Sequence, residues 1–364
     1  MCSCTSKIWK NLFMHNADCL RNYKLVERNI AFGSSSSMDL FRYDVTKSDG
    51  ARFVVIKSLS ARDLNKMECP VYKKSGLDGV YSKEWQMKRE LEILEKLRNV
   101  SNHIVTVIDM FSSQTDMIHI VYAYAGKTVM KFAEEYGCYS ACIDGSIEDG
   151  CVGVCSVDDT IESLKQLLSA LIHVHDIDVC HKDIKPENVL LMSPFSRWHK
   201  RAIPGTVGEL RSTPNIETPI HITLCDFNIS EYMDSDKAIY DAQGTLHFTP
   251  PECFARTFQD NPNAGINGMA RDIWSAGILG YVMLCGSLPV TGNLALEIQL
   301  KLIQLAMPEN DQVTVSFPDW TCRSDNTNME LVNIIQKMLS INPIERPSAK
   351  AALDLIERLP PTRD

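Results

Sequence analysis

The chain has 364 residues, of which 45% are hydrophobic, which is typical of a soluble globular protein with two or three packed units. Its formal net charge of −9 excludes nonspecific nucleic-acid binding, because that activity requires a basic surface. The longest apolar run, residues 273–285, is shorter than the about 20 residues that a membrane span needs, and no secretory signal is visible, so we expect no stable membrane association.

The first third of the chain is predicted to form an antiparallel sheet with one helix. Residues 1–21 show no periodicity and are interpreted as a tail. Further along, Asp49-Gly50 separates two β-prone runs, which is a hairpin signal. Strand alternation places Val55 and Lys57 on one face of the second run. The predicted elements are strands over residues 38–46, 51–57, 104–110 and 117–124, and a helix over residues 83–97.

The remainder of the chain is predicted to be mostly helical. The run that begins at Asp159 has the residue types of a capped helix start, and leucines follow it at helical spacing. A short apolar strand is expected over residues 220–225. The predicted helices cover residues 159–175, 271–285, 295–306, 329–339 and 348–358.

Two stretches, residues 137–157 and 193–219, are interpreted as insertions. The first contains four cysteines spaced C-x3-C-x8-C-x3-C, and four thiolates can form a structural zinc site. Because zinc knuckles usually have shorter spacings, we favour free thiols over zinc. Thirteen cysteines without a secretory signal indicate reduced thiols in the cytoplasm, with the nucleus as a second compartment. The four cysteines are Cys138, Cys142, Cys151 and Cys155.

The octapeptide from His181 to Asn188, His-Lys-Asp-Ile-Lys-Pro-Glu-Asn, carries the most specific signal in the chain. It resembles the catalytic loop of the protein kinase family, His-Arg-Asp with an asparagine five residues after the aspartate. The resemblance implies that Asp183 accepts the proton of the substrate hydroxyl and that Lys185 steadies the γ-phosphate. It also implies that Asn188 binds Mg²⁺ through its amide oxygen. His181 is expected to be structural.

The triplet Asp226-Phe227-Asn228 resembles the Asp-Phe-Gly motif of the same family. Asp226 is then the second magnesium ligand. Asn228 replaces the family glycine, and we expect it to be tolerated because asparagine adopts positive φ more readily than most residues.

Upstream, the run Val54-Val55-Ile56-Lys57 resembles the Val-Ala-Ile-Lys strand of the family. The resemblance implies that Lys57 binds the α- and β-phosphates of ATP and that Glu90, on the following helix, orients Lys57. The glycine-rich loop is the weakest match, because only Gly33 of its three glycines is present. The expected ATP-binding residues are Ile30, Gly33, Met38, Val55, Lys57, Tyr122, Ala123, Ala125 and Leu190.

Residues 244–252 resemble the substrate-docking end of the family's activation segment. Thr245 is expected to bridge Asp183 and Lys185, as in Ser/Thr kinases, and Glu252 to pair with Arg346. Asp241 occupies the position at which many members carry a regulatory phosphate, and Lys182 is the cation expected to meet it. An alternative is that Asp241 is a solvated residue and that Tyr240 or Ser235 is the switch.

The resemblance implies an α+β bilobal protein-kinase fold over residues 22–358, with an N-lobe over 22–124, a C-lobe over 125–358, ATP between them, and a tail over 359–364. The implied activity is transfer of the ATP γ-phosphate to serine or threonine of protein substrates. The alternative is a catalytically impaired pseudokinase scaffold, which the degenerate glycine loop, Val55 and Asn228 favour.

Within the family, the motifs look most like those of the calmodulin-kinase-like groups, and of the calmodulin-dependent kinase kinases in particular. The sequence after the last predicted helix does not support calmodulin binding. Kinases that select arginine three residues upstream of the target carry an acidic residue just after the hinge. Val129 occupies that position here, whereas Glu187 remains available for a closer basic residue.

Overall fold

A computed structural model describes residues 23–27, 37–44, 51–60, 68–73, 76–112, 117–131, 155–192, 220–255, 265–292, 294–305, 315–318 and 326–361. The predicted tail, the insertion at 193–219 and most of the insertion at 137–157 lie outside these residues. The chain divides into two compact units. The first comprises Met1–Val71 and Gly79–Ala125, and the second comprises Tyr72–Asp78 and Gly126–Asp364.

The first unit contains a five-stranded antiparallel sheet with strand order β1-β2-β3-β7-β6 and one helix. This agrees with the predicted sheet and helix. A second, two-stranded sheet of β4 and β5 precedes the helix and was not predicted; its residues Tyr72–Asp78 are assigned to the second unit. The elements are β1 (Tyr23–Glu27), β2 (Ser37–Asp44), β3 (Ala51–Ser60), β4 (Glu68–Lys73), β5 (Gly76–Ser82), α1 (Lys83–Lys96), β6 (Val107–Ser112) and β7 (Met117–Ala123).

Alternation along β3 decides which of its side chains are buried. Val54 and Ile56 are buried on one face, whereas Phe53 on the other face is exposed. Helix α1 begins after Ser82, whose hydroxyl accepts a hydrogen bond from the Trp85 N–H. Its buried stripe follows the helical period and includes one charged residue, Glu90, among apolar neighbours.

The second unit is mainly helical, and its two longest helices pack together. Leu164, Leu168 and Leu171 of α2 and Trp274 of α4 are fully buried. The N-cap of α2 is Ser156, three residues before the predicted cap at Asp159. The helices are α2 (Val157–Asp176), α3 (Pro251–Ala255), α4 (Gly268–Cys285), α5 (Ala295–Leu305), α6 (Asn326–Met338) and α7 (Ala349–Glu357).

Seven short strands in the second unit connect the segments that carry the catalytic motifs. Strands β8, β10 and β11 form one sheet, β9 pairs with β12, and β13 pairs with β14. Antiparallel pairing therefore places the catalytic loop, between β9 and β10, beside the segment that follows β11. The strands are β8 (Lys127–Thr128), β9 (Val179–Cys180), β10 (Val189–Leu191), β11 (Ile222–Leu224), β12 (Glu231–Tyr232), β13 (Ala238–Ile239) and β14 (Ile266–Asn267).

These elements confirm the predicted α+β class, with an antiparallel sheet and one helix followed by a mainly helical unit. Among the helices that the structure describes, none has the length and apolar character needed to cross a bilayer.

A bidentate ion pair links α3 to the loop before α7. The Arg346 Nη1 and Nη2 atoms donate to the two carboxylate oxygens of Glu252 at 2.6 and 2.8 Å. The same guanidinium lies 4.9 Å from the centre of the Trp274 ring and donates to the Ala270 carbonyl. The Arg346 side chain is fully buried, so its charge depends on this carboxylate.

We predict that Glu252→Gln destabilises the protein by about 3 kcal/mol, because it leaves the buried Arg346 charge without its counter-ion. Urea denaturation of the full chain measures the shift of the unfolding midpoint. Glu345→Gln is the matched control, since Glu345 is an exposed carboxylate in the same loop and bonds only to Ser340 and Asn342 among its described contacts. Equal midpoints for the two variants would contradict the prediction.

Candidate active site

Lys57 and Glu90 form a buried ion pair within the first unit. Lys57 lies on β3, the middle strand of the five-stranded sheet, and Glu90 lies on the buried face of α1. The Lys57 Nζ atom is 3.5 Å from the Glu90 Oε2 atom, and the residues are only 8% and 3% exposed. Because water is largely excluded, the carboxylate orients the ammonium more strongly than a surface partner would.

Tyr122 adds a third group to this pair. It lies opposite Val55 in the pairing of β7 with β3, and its buried hydroxyl donates to the Glu90 Oε1 atom at 3.3 Å. The family resemblance implies an adenine-pocket role for Tyr122 but no contact with Glu90. The neighbouring Ala123 N–H is bonded to the Thr106 carbonyl at 2.9 Å, so this N–H already has a partner within the protein.

In the second unit, the carboxylate of Asp183 receives four hydrogen bonds. Its Oδ1 atom accepts from the Thr245 N–H at 3.0 Å and from the Thr245 hydroxyl at 2.7 Å. Its Oδ2 atom accepts from Lys185 Nζ at 2.8 Å and from the Asn188 amide nitrogen at 2.9 Å. Lys185 Nζ also donates to the Thr245 hydroxyl at 2.7 Å. Thr245 therefore bridges Asp183 and Lys185.

The pKa of Asp183 reflects two opposing effects. Burial alone would raise it, but the hydrogen bonds from Lys185 and Thr245 and the charge of Lys185 outweigh burial and hold the pKa below its usual value. Asp183 is therefore a carboxylate at neutral pH and can accept both a hydrogen bond and a proton from an incoming hydroxyl.

Helix α4 holds the backbone of the catalytic loop through Asp272. The fully buried carboxylate of Asp272 accepts from the N–H groups of His181 and Lys182 at 2.8 and 2.9 Å. Lys182 has a positive φ of 73°, an uncommon conformation for a lysine. His175 Nε2 is 3.0 Å from the same carboxylate, so the two buried polar groups satisfy each other.

The segment after β11 turns sharply at Asp226, which has a φ of 65°. The expectation that Asn228 needs positive φ is therefore wrong, because the strained residue of this turn is Asp226. An asparagine can replace the family glycine at position 228 because the backbone there does not adopt a positive φ. Phe227 is fully buried, and the centres of its ring and the His181 ring lie 4.6 Å apart in a T-shaped arrangement, so His181 packs against this motif.

The comparison with protein families agrees with this geometry. The profile of the family described as "Protein kinase domain" matches residues 30–355.

The chain belongs to the protein kinase family. Its curated relatives include a probable serine/threonine-protein kinase, fhkD, of Dictyostelium discoideum, 24% identical over 74% of this chain and 30% of the relative. The phosphorylase b kinase gamma catalytic chain, liver/testis isoform, of Bos taurus is 24% identical over 73% of this chain and 52% of the relative. The kinase cds1 of Schizosaccharomyces pombe is 26% identical over 73% of this chain and 46% of the relative. The chain thus spans about half or less of the length of these relatives.

The donor set of this kinase fits the Mg²⁺ that the family implies. The Asn188 amide nitrogen is occupied by Asp183, through its Oδ2 atom and its main-chain carbonyl, which leaves the Asn188 amide oxygen as a hard ligand. Asp226 can add a carboxylate. Within the described part of the chain, no group of three or more histidines, cysteines or acidic residues could hold a metal. Magnesium needs no such group, because substrate phosphates and water complete its shell.

The activation segment of the kinase, residues 226–252, is tied to the catalytic loop by buried charges. Lys182 Nζ lies 2.6 Å from Asp241 Oδ1 and 2.9 Å from Glu231 Oε2, and its side chain is 1% exposed. Asp241 is therefore not a solvated residue. Burial alone would raise the pKa of Asp241, but the charge of Lys182 and a hydrogen bond from it hold that pKa below its usual value. Burial raises the pKa of Glu231.

Several expected positions lie outside the described residues or are only partly described. Ile30 and Gly33 are outside, as are Cys138, Cys142 and Cys151 of the candidate zinc site, while Cys155 is buried with its N–H bonded to the Met283 carbonyl. Only the backbone of Met38 is described, in β2, and Leu190 is half-buried on β10. The roles of these residues stay predictions.

Three contributions to the site were not predicted from the sequence: the Tyr122 hydroxyl, Glu231 and Arg271. Arg271 directly precedes Asp272 in the helix motif, and Glu231 follows the Asp-Phe-Asn triplet by three residues. Glu231 and Arg271 could have been found from the sequence, because both are charged residues beside motifs that are predicted to lie inside the protein. A buried charge needs a partner.

We predict that Tyr122→Phe lowers kcat/KM for ATP by about 5-fold, because the loss of a buried hydrogen bond to Glu90 loosens the orientation of Lys57. Steady-state kinetics at varied ATP concentration measures this. Tyr281→Phe is the matched control, since it removes a hydroxyl of the second unit that donates to the Ser316 carbonyl. An unchanged kcat/KM in Tyr122→Phe would show that the hydroxyl does not position Glu90.

Proposed function

We propose that this kinase transfers the γ-phosphate of ATP to serine and threonine hydroxyls of protein substrates. The observation that carries the proposal is the arrangement of Asp183, Lys185 and Thr245, in which an ionised carboxylate and an ammonium are fixed 2.8 Å apart and bridged by one hydroxyl. Phosphoryl transfer needs such positioned charge more than covalent chemistry.

In the proposed reaction, the substrate hydroxyl oxygen attacks the γ-phosphorus and the bond from that phosphorus to the β–γ bridging oxygen breaks, so that ADP leaves. The hydroxyl proton passes to the Asp183 carboxylate, while Lys185 neutralises charge on the γ-phosphoryl oxygens. Lys57, oriented by Glu90, binds the α- and β-phosphates. Mg²⁺ held by Asn188 and Asp226 supplies charge neutralisation when it is bound.

Serine and threonine are the proposed targets because Lys185 and Thr245 match the residues that distinguish Ser/Thr kinases, and because the relatives named above include Ser/Thr kinases. We place the chain near the calmodulin-kinase-like groups. Its proposed partners are protein substrates, and its proposed location is the cytoplasm, which the free thiols of the described cysteines fit.

We predict that Asp183→Asn and Lys57→Ala each lower kcat at least about 100-fold, because the first removes the proton acceptor and the second the phosphate-orienting cation. Transfer from labelled ATP to a degenerate peptide library measures this. The controls are Asp178→Asn and Lys96→Ala, which change an exposed aspartate near the catalytic loop and an exposed lysine of α1. Wild-type protein that neither binds nucleotide nor labels any peptide would instead establish the pseudokinase alternative.

We further predict little selection for arginine three residues upstream of the target. Val129, which replaces the usual acidic residue, is buried and carries no charge, whereas Glu187 is a half-buried carboxylate in the catalytic loop. A positional peptide array measures the preference at each site. Strong selection for arginine at that position would show that another acidic group of this kinase binds it.

A further inference from the structure

Arg271 lies in the first turns of α4 and is fully buried. Its Nη1 atom donates to the Asp241 carbonyl at 3.2 Å. Its Nη2 atom donates to the Lys182 carbonyl at 3.3 Å and to the Gln243 carbonyl. One guanidinium thus binds two main-chain carbonyls of the activation segment and one of the catalytic loop. A planar fork of donors makes such a link possible, whereas an ammonium is a point donor.

One of the carbonyls that Arg271 binds, that of Gln243, lies two residues before Thr245, which contacts the Asp183 carboxylate. Gln243 is followed by Gly244 and then by Thr245, whose N–H and hydroxyl both bond Asp183. Gly244 has a φ of 152°, and a Cβ atom there would lie 2.6 Å from Arg271 Nη2. The backbone at 243–245 is therefore shaped around the guanidinium, and the position of Arg271 determines that of Thr245.

The side chain of Lys182 forms a second link between the catalytic loop and the activation segment. Its ammonium is shared by the carboxylates of Asp241 and Glu231. A phosphate at position 241 would add negative charge next to Glu231, which already competes for that ammonium. The Lys182 ammonium is thus already paired with protein carboxylates, which disfavours a phosphate beside it.

We propose that Arg271 is a positioning residue that, together with Lys182, holds the activation segment ready for phosphoryl transfer without any phosphate on it. This proposal deepens the proposed function and rests on it for its catalytic consequence. Its structural consequence, an activation segment tied to α4 and to the catalytic loop, can be measured whether or not the protein is active.

The structural test is hydrogen–deuterium exchange of the unphosphorylated full chain. Arg271→Lys keeps the charge but loses the fork, and we expect amide exchange over residues 238–247 to accelerate about 10-fold. Gly244→Ala is a second variant that displaces the guanidinium without removing it, and we expect the same direction of change. Arg358→Lys, at an exposed arginine after α7, is the matched control and should leave this exchange unchanged.

The catalytic test uses protein made in bacteria and treated with phosphatase. Wild type should keep its activity after treatment. Arg271→Lys should lower kcat about 10-fold while KM for ATP changes less than about 2-fold, because the variant misplaces Thr245 and leaves Lys57 in place. A general loss of folding would also lower the apparent kcat alone, because it reduces the fraction of active enzyme, but it would accelerate exchange throughout the chain and not only over residues 238–247.

The outcomes separate the two proposals. Wild type that is inactive with every peptide defeats the proposed function. Even then, faster exchange over residues 238–247 in Arg271→Lys but not in Arg358→Lys would support the link between Arg271 and the activation segment. Exchange that is equal in Arg271→Lys and Arg358→Lys overturns the positioning role. Activity that disappears on phosphatase treatment shows that a phosphate, and not the buried charges, orders the segment.

Discussion

The interaction on which the rest of the site depends is the pair of hydrogen bonds from the His181 and Lys182 N–H groups to the buried carboxylate of Asp272. Burial alone would raise the pKa of Asp272, but bonding to His175 and the neighbouring groups holds it below its usual value, so the carboxylate stays ionised. These bonds hold Lys182 in its left-handed conformation and thereby fix the backbone that leads into Asp183. Helix α4 thereby determines the position of Asp183, the proposed proton acceptor, although it contributes no group to the proposed reaction.

The contacts next to the Asp272 carboxylate link the catalytic loop to the activation segment. The side chain of Lys182 points to Asp241 and Glu231, and Arg271 binds the carbonyls that precede Gly244. Thr245 is then placed on Asp183. Buried charges are costly unless they are paired, and this cluster pairs each of them with charged or carbonyl partners. The same contacts therefore stabilise the fold and hold the catalytic loop and activation segment in place, so we expect a variant in this cluster to change both.

Local motifs were sufficient to predict the contacts that the protein kinase family shares. The pairs Lys57 with Glu90 and Glu252 with Arg346, and the bridge through Thr245, all form as their motifs imply. The fold class followed from strand alternation, helical spacing and the same resemblance. By contrast, Glu231, Arg271 and the Tyr122 hydroxyl acquire their partners through tertiary packing. Their place beside the motifs indicates that the two charged residues need partners, but it does not reveal which groups supply them. The positive φ at Asp226 instead of Asn228 is a backbone choice that residue preferences do not determine.

We propose that these buried contacts position the groups for phosphoryl transfer to aliphatic hydroxyls. Phosphoamino acid analysis of a mixed protein substrate, labelled by this kinase from ATP in the presence of Mg²⁺, tests it most directly. We expect phosphoserine and phosphothreonine, with labelling abolished when Mg²⁺ is chelated. Label confined to phosphotyrosine, or no label although the protein binds ATP, would contradict it.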